Sequence, residues 1–406
     1  MLDSFVSLFR KNIRSYILII ALVVIWLGFG IAQPAYWSAD HIQNIFTQMA
    51  IIAIMACGMV FVIVTGGIDL SVGFGAGFVS VVAAALLRYQ IIEDPLAAMG
   101  MTGIGLEVTT ALIVVVLCVG LGFLIGTVQG SIIAFLAVPP FITTLGGFNI
   151  WKSGILIVTG GKSLFISRNN TYKFIAQGLI PPVIGYVIAV LVTIVMFLML
   201  FQSRARKQKF GITPQSLVWE LIRTTLFALI LWGYVLIVNR VFEPGADPST
   251  QGVPFLVILL AAIALVMNYI SMNTRFGRYA YAIGGNREAA RLSGINIKQS
   301  IFRIYITMGA LMGISGVALA AYVGSGTTAA GGGYELDVIA SCILGGTSTL
   351  GGEGTVFGAI VGALIMQSLT NGLQMLNVNS NLQYMIKGVV LILAVWADIS
   401  MKKKKA

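Results

Sequence analysis

Apolar stretches long enough to cross a bilayer recur along almost the whole chain, separated by short polar or glycine-rich breaks. A spanning helix takes about 20 largely apolar residues. Nine stretches meet that pattern: 16–32, 47–65, 108–135, 182–201, 224–242, 253–271, 301–322, 355–376 and 382–399. Three more are irregular: residues 70–87 are rich in glycine, 139–158 open on Pro139-Pro140, and 335–347 are too short to cross unaided. Glycine and proline at membrane depth are tolerated where protein covers the backbone or where it lines a cavity, so these three are expected inside the bundle. The pattern predicts an all-α integral membrane protein, a polytopic helix bundle with broken or re-entrant helices and about 12 membrane segments. Ten full spans with two re-entrant segments satisfy it equally. No stretch is long and polar enough for a soluble domain, so residues 1–406 read as one membrane domain. The first apolar run is long and is followed by no small-residue cleavage site, which reads as a retained span.

The charges fix an orientation. Of 25 Lys and Arg, 18 fall in four interspan segments: Arg10, Lys11 and Arg14; Arg204 to Arg223; Arg275 to Arg303; and Lys402 to Lys405. Twelve segments place all four on one side, the cytoplasmic one by the positive-inside rule. The opposite loops carry Asp40, Glu93, Asp94, Glu107, Glu243 and Asp247. An odd number of spans would put one basic end outside. The net charge of +11 is therefore a topology signal, not a nucleic-acid face. Composition agrees: 58% of residues are hydrophobic and 10% charged, against about 45–50% and 25% in soluble domains. Cys57, Cys118 and Cys342 lie far apart in apolar segments, and His41 is the only histidine. That excludes a His-based metal site or catalytic triad within the chain.

The loop from Gly284 to Gly294 carries the clearest local signals. Asn286 is a helix N-cap, able to accept a first-turn N–H. Glu288 suits the helix dipole, and Gly294 can adopt the left-handed conformation that ends a helix. Asn296 opens a second helix, with Gln299 as its capping-box partner. A helix of about two turns is marginal in water, so it needs a surface to pack on, and Ala289 and Ala290 permit close approach. Glu288-Ala289-Ala290, three residues, Gly294, nine residues and Ile304 resemble the EAA loop of ABC-importer permeases. Ile306 and Thr307 stand where that motif often has Leu-Pro, a departure usual among sugar permeases.

Three further stretches carry the likeness: Tyr281 to Asn286, Gly66-Gly67-Ile68-Asp69-Leu70-Ser71-Val72-Gly73, and Glu335 to Gly358. Together they are similar to the ribose, galactose and xylose permeases of bacterial monosaccharide importers. The insert at about 183–250, with its Arg204-Ala205-Arg206-Lys207 loop, resembles the xylose branch most. The resemblance implies a non-hydrolysing permease in the bacterial inner membrane, surrounded by lipid. Its implied partners are a second permease copy, a cytoplasmic ATPase with two nucleotide-binding cassettes, and an external sugar-binding protein. It also implies that residues 287–293 form the coupling helix on the ATPase, with Asn286, Glu288, Ala289, Ala290 and Gly294 as its defining residues. ATP would be bound by that partner, leaving this chain without a cofactor.

Gly161-Lys162-Ser163 ends like a phosphate-binding loop, but Leu156 stands where its first glycine belongs. Polar residues inside spans are costly in lipid and usually face the bundle interior. Gln48, Asn149, Asn268, Gln367 and Asn371, with Phe141 as an aromatic ring platform, are candidates for a sugar pathway, with interhelical hydrogen bonding as the competing role. Asp69 and Glu353 sit in glycine-rich turns, where direct contact with the sugar, with Asp69 a further pathway candidate, competes with hydrogen bonding to neighbouring backbone N–H groups. Those two turns echo each other, as an internal repeat or as close packing would. The alternative function is an ion-coupled secondary carrier. That class works through buried carboxylates or histidines, of which the spans show few. A non-transporting membrane scaffold would leave the EAA-like loop without a role.

Overall fold

The computed structural model describes residues 13–166, 169–211, 214, 216–241, 243, 245 and 247–403. Arg10, Lys11, Lys404 and Lys405, on which the placement of the termini rests, lie outside the described residues. The protein is an all-α polytopic membrane protein. Its principal helices are α1 (Ile13–Ala32), α2 (Ala39–Val64), α3 (Val72–Arg88), α4 (Glu93–Ala98), α5 (Gly103–Ala134), α6 (Pro140–Thr159), α7 (Asn170–Gln177) and α8 (Pro182–Lys209). They continue as α9 (Leu217–Val238), α10 (Phe255–Asn273), α11 (Arg275–Gly285), α12 (Arg287–Leu292), α13 (Ile297–Val323), α14 (Tyr334–Leu344), α15 (Val356–Met375) and α16 (Ser380–Lys403). Nine helices among the described residues are long and apolar enough to cross a membrane; α1 and α16 carry the shorter apolar stretches Leu18–Ala32 and Ser380–Trp396. With the 11-residue α14, these are the twelve segments that the apolar pattern marks.

Helix α2 is the axis of the bundle, with every residue from Met49 to Val64 buried. Helices α10, α13, α14 and α15 pack around it. The α5–α13 contact is backbone on backbone: a Cβ on Gly309 would lie 2.4 Å from the Gly122 carbonyl oxygen, and one on Gly126 2.3 Å from that of Tyr305. Small residues allow such approach where no hydrophobic effect drives helices together.

The three irregular segments divide. Helices α3 and α14 are internal. At about 1.5 Å per residue, α14 spans about 16 Å, roughly half the ~30 Å hydrocarbon core. The segment before it runs against α3, where a Cβ on Gly77 would meet the Ala330 carbonyl oxygen at 2.0 Å. Residues 140–159 depart from expectation. They form one continuous helix at the periphery, with Ile142, Ile150 and Ile157 more than half exposed. Pro140 occupies the first turn, where a missing N–H costs nothing, so the proline pair starts the helix and does not break it.

Helices α8 and α9 form a hairpin beside the main bundle, with a small core of Ile42, Ala189, Val235, Val238 and Val253. Gln43 Nε2 donates to the carbonyls of Val238 (3.0 Å), Thr250 (3.2 Å) and Gly252 (3.1 Å). Arg240 pairs with Asp40 and Glu243. At the other end of the hairpin Arg204 and Lys207 share Glu220. The ladders Leu164–Phe165 with Ser325–Gly326 and Leu179–Ile180 with Val253–Pro254 tie loops at the end carrying the acidic residues.

Candidate functional site

Two arrangements stand out, one at each end of the bundle. At the end carrying the basic loops, α12 is bounded as its local sequence dictates. Asn286 Oδ1 accepts from Ala289 N at 2.9 Å, and Gly294 has φ +80°. Glu288 accepts from Arg291 Nε at 3.1 Å, and the guanidinium holds its carboxyl below the usual range. Asn296 Oδ1 accepts from Gln299 N at 3.0 Å, but Gln299 is exposed and returns no side-chain bond, so only half of the capping box forms. Ala290 departs from the expected contact surface: it is 4% exposed, buried within the chain. The outer face of α12 is Arg287, Glu288, Ala289, Arg291 and Leu292, the last 75% exposed.

Behind α12, three backbone segments from distant parts of the chain touch. Gly352 N donates to Val64 O at 2.9 Å, and Tyr281 Oη donates to Gly354 O at 2.8 Å. A Cβ on Gly284 would lie 1.7 Å from Val64 O and 2.5 Å from Gly352 N. The second glycine-rich stretch thus meets the end of α2, one residue before the first, and Gly284 of α11 lies against both. Thr347 and Ser348 in the second turn are fully buried, and Glu353 is exposed.

At the opposite end, α2, α13 and α15 bring amides together. Gln48 Nε2 donates to Asn44 Oδ1 (3.1 Å) and to Tyr322 Oη (2.7 Å), and Tyr322 Oη donates to Asn44 Oδ1 (2.6 Å). Gln48 Oε1 accepts from Gln367 Nε2 (2.5 Å) and from Asn371 Nδ2 (3.3 Å). Gln367 and Asn371 are buried, whereas Asn44, Gln48 and Tyr322 are only half-buried. The cluster is neutral, rich in both donors and acceptors, and partly exposed at Asn44, Gln48 and Tyr322.

The other sequence candidates lie elsewhere. Asp69 Oδ1 accepts from Ser71 N (2.9 Å) and Ser71 Oγ (2.6 Å), and Gln129 Nε2 donates to that hydroxyl at 2.7 Å. This network pins the start of α3 against α5. Phe141 is 52% exposed at the start of α6. Asn149 is exposed and donates to Leu145 O of its own helix at 3.1 Å. Asn268, half-buried on α10, joins neither network. Sequence reasoning passed over Asn44, which lies just before the stretch 47–65, and Tyr322, the last polar residue of α13. It also passed over a buried ion pair: Lys387 Nζ on α16 lies 2.8 Å from Asp337 Oδ2 on α14. The signal was available, because an ionisable residue inside an apolar segment is a functional candidate by default.

Residues 41–395 match the family described as "Branched-chain amino acid transport system / permease component". The chain belongs to this permease family. The xylose transport system permease protein XylH of Haemophilus influenzae is 36% identical over 394 residues, 97% of this chain and 98% of that one. XylH of Escherichia coli strain K12 is 35% identical, covering 98% and 95%. The ribose import permease protein RbsC of the same strain is 32% identical, covering 94% and 92%. No solved structure matches. The chain is thus a transport permease component.

Proposed function

We propose that this chain is the membrane-spanning permease of an ATP-driven monosaccharide importer, with a pentose of the xylose type as its cargo. Sugar arrives at the acidic end from an external binding protein, passes the Asn44–Gln48–Tyr322–Gln367–Asn371 cluster between two copies of the chain, and leaves at the basic, cytoplasmic end. There α12 seats on a separate ATPase with two cassettes, which binds the ATP. The observation that carries the reading is the amide–phenol cluster, neutral and partly exposed. Such groups match the paired donors and acceptors of sugar hydroxyls, whereas an amino acid would require partners for its ammonium and carboxylate.

Import into vesicles containing permease, ATPase and binding protein tests this. Gln48→Leu and Asn371→Leu should each slow xylose import about fivefold or more, one neutral hydrogen bond being worth roughly 1 kcal/mol. Parent-like import by both variants would remove the cluster from the pathway.

Sidedness has its own test. Single cysteines at positions 206 and 287 should react with an impermeant thiol reagent only after the membrane is opened, because the surrounding basic loops are assigned to the cytoplasm. Labelling of either from outside would reverse the topology.

One observation favours the ion-coupled alternative: Asp69, Glu335 and Asp337 are buried within the bundle, more carboxylates than the apolar pattern suggested. Uptake that persists without ATP and collapses with a protonophore would establish that reading and overturn ours.

A further inference from the structure

Beside the coupling helix lies a cleft that neither arrangement uses. Arg275, Phe276 and Tyr279 of α11 and Ser300 and Arg303 of α13 enclose about 140 Å³. Five cations of the chain have carboxylate partners: Arg204 and Lys207 share Glu220, Arg240 pairs with Asp40 and Glu243, Arg291 with Glu288, and Lys387 with Asp337. Arg275 and Arg303 are exposed and have no carboxylate partner among the described residues. Along residues 272–303 the acidic residue is Glu288, which Arg291 occupies. The Ser300 hydroxyl donates to Asn296 O at 2.8 Å, so the free donors around the cleft are the two guanidinium forks and the half-buried Tyr279 phenol.

Depth selects the ligand. Helix α10 ends at Asn273, two residues before Arg275. Helix α13 has 27 residues, about 40 Å, against a hydrocarbon core of about 30 Å. Its first turns, Ser300 and Arg303 included, therefore project to headgroup level, and Phe276 lines the same cleft. Guanidinium forks match phosphate oxygens in bidentate geometry, and basic pockets between helices on this side of a membrane suit anionic headgroups. We propose that the Arg275–Tyr279–Arg303 cleft binds the phosphate of an anionic membrane lipid.

Native mass spectrometry of the purified full-length protein tests this without relying on transport. Phosphatidylglycerol and phosphatidylcholine are offered to the parent, to Arg275→Gln/Arg303→Gln, and to Arg278→Gln/Lys298→Gln, which removes the same charge from the same loop but leaves the cleft intact. All four positions are exposed, so folding is not at stake, and elution as the parent's species checks it. The parent should retain phosphatidylglycerol over phosphatidylcholine, the cleft variant should lose that preference by at least about tenfold, and the control variant should keep it. Equal loss in both variants would reduce the effect to diffuse charge and overturn the proposal. Displacement of the lipid by inorganic phosphate alone would reassign the cleft to a free anion. No lipid preference in the parent, with loss of ATPase copurification in the cleft variant, would make it a protein-docking site.

Discussion

Lys387→Met and Asp337→Asn should each destabilise the detergent-solubilised protein more than any other single polar substitution in the bundle. The two side chains are 10% and 5% exposed, and the bond between them is 2.8 Å long. Removing one member leaves the other as an uncompensated charge away from water, which costs about 3–5 kcal/mol when a buried pair is broken. Asp337 is already short of partners, since its Oδ1 has none among the described residues, and Glu335, buried two positions earlier, likewise leaves Oε2 unpaired. Losing the lysine would therefore leave two poorly solvated carboxylates on one short helix. Helix α16 packs chiefly against α14, so the pair is also the main polar tether of the last span. The double variant Lys387→Met/Asp337→Leu should regain most of the lost stability, because an apolar pair of similar volume has nothing to desolvate. Thermal unfolding followed by size-exclusion chromatography reads all three. Should the single variants melt with the parent, or the double variant melt below both, the pair is not an energetic unit.

What the sequence made legible depends on how local the determining interactions are. The boundaries of α12 follow from Asn286 and Gly294, whose cap bond and left-handed φ involve residues within four positions. The spans follow from apolar length alone, a one-dimensional property. Ala290 was not legible as an inward residue, because a six-residue helix has too few positions to define an apolar face; its burial comes from the chain around it. The amide cluster shows the middle case. Gln48, Gln367 and Asn371 were each visible as polar residues in apolar segments, but their convergence depends on the relative rotation of α2 and α15, set by packing across more than 300 residues of sequence. Asn149 has the same local signal and points outward. Residue type raised the candidates; only tertiary packing separated them.

The same distinction governs coupling, where two substitutions a few residues apart should fail in different ways. Gly284→Ala places a methyl group where Val64 O and Gly352 N already lie, at 1.7 and 2.5 Å from the Cβ position. Both neighbours are backbone, so neither can rotate aside, and α11 must move away from the ends of α2 and of the α14–α15 connection. Ala289→Asp changes an exposed position on the outer face of α12; nothing in the chain obstructs it, but a carboxylate would enter the contact proposed for the ATPase. Gly294→Val belongs with the second class, since φ +80° strains a β-branched residue severely and misdirects the chain leaving the helix. All three lie outside the apolar spans, so normal membrane levels are expected. In vesicles holding the full importer, Gly284→Ala should keep the ATPase bound and hydrolysing ATP while sugar import falls at least about tenfold, the rate equivalent of roughly 1.4 kcal/mol. Ala289→Asp and Gly294→Val should lose import together with ATPase association. Copurification and sugar-stimulated ATP hydrolysis, measured side by side, separate the two. If Gly284→Ala imports sugar like the parent, motion is not transmitted through the Val64–Gly284–Gly352 contact, and α12 must reach the pathway through α13 instead.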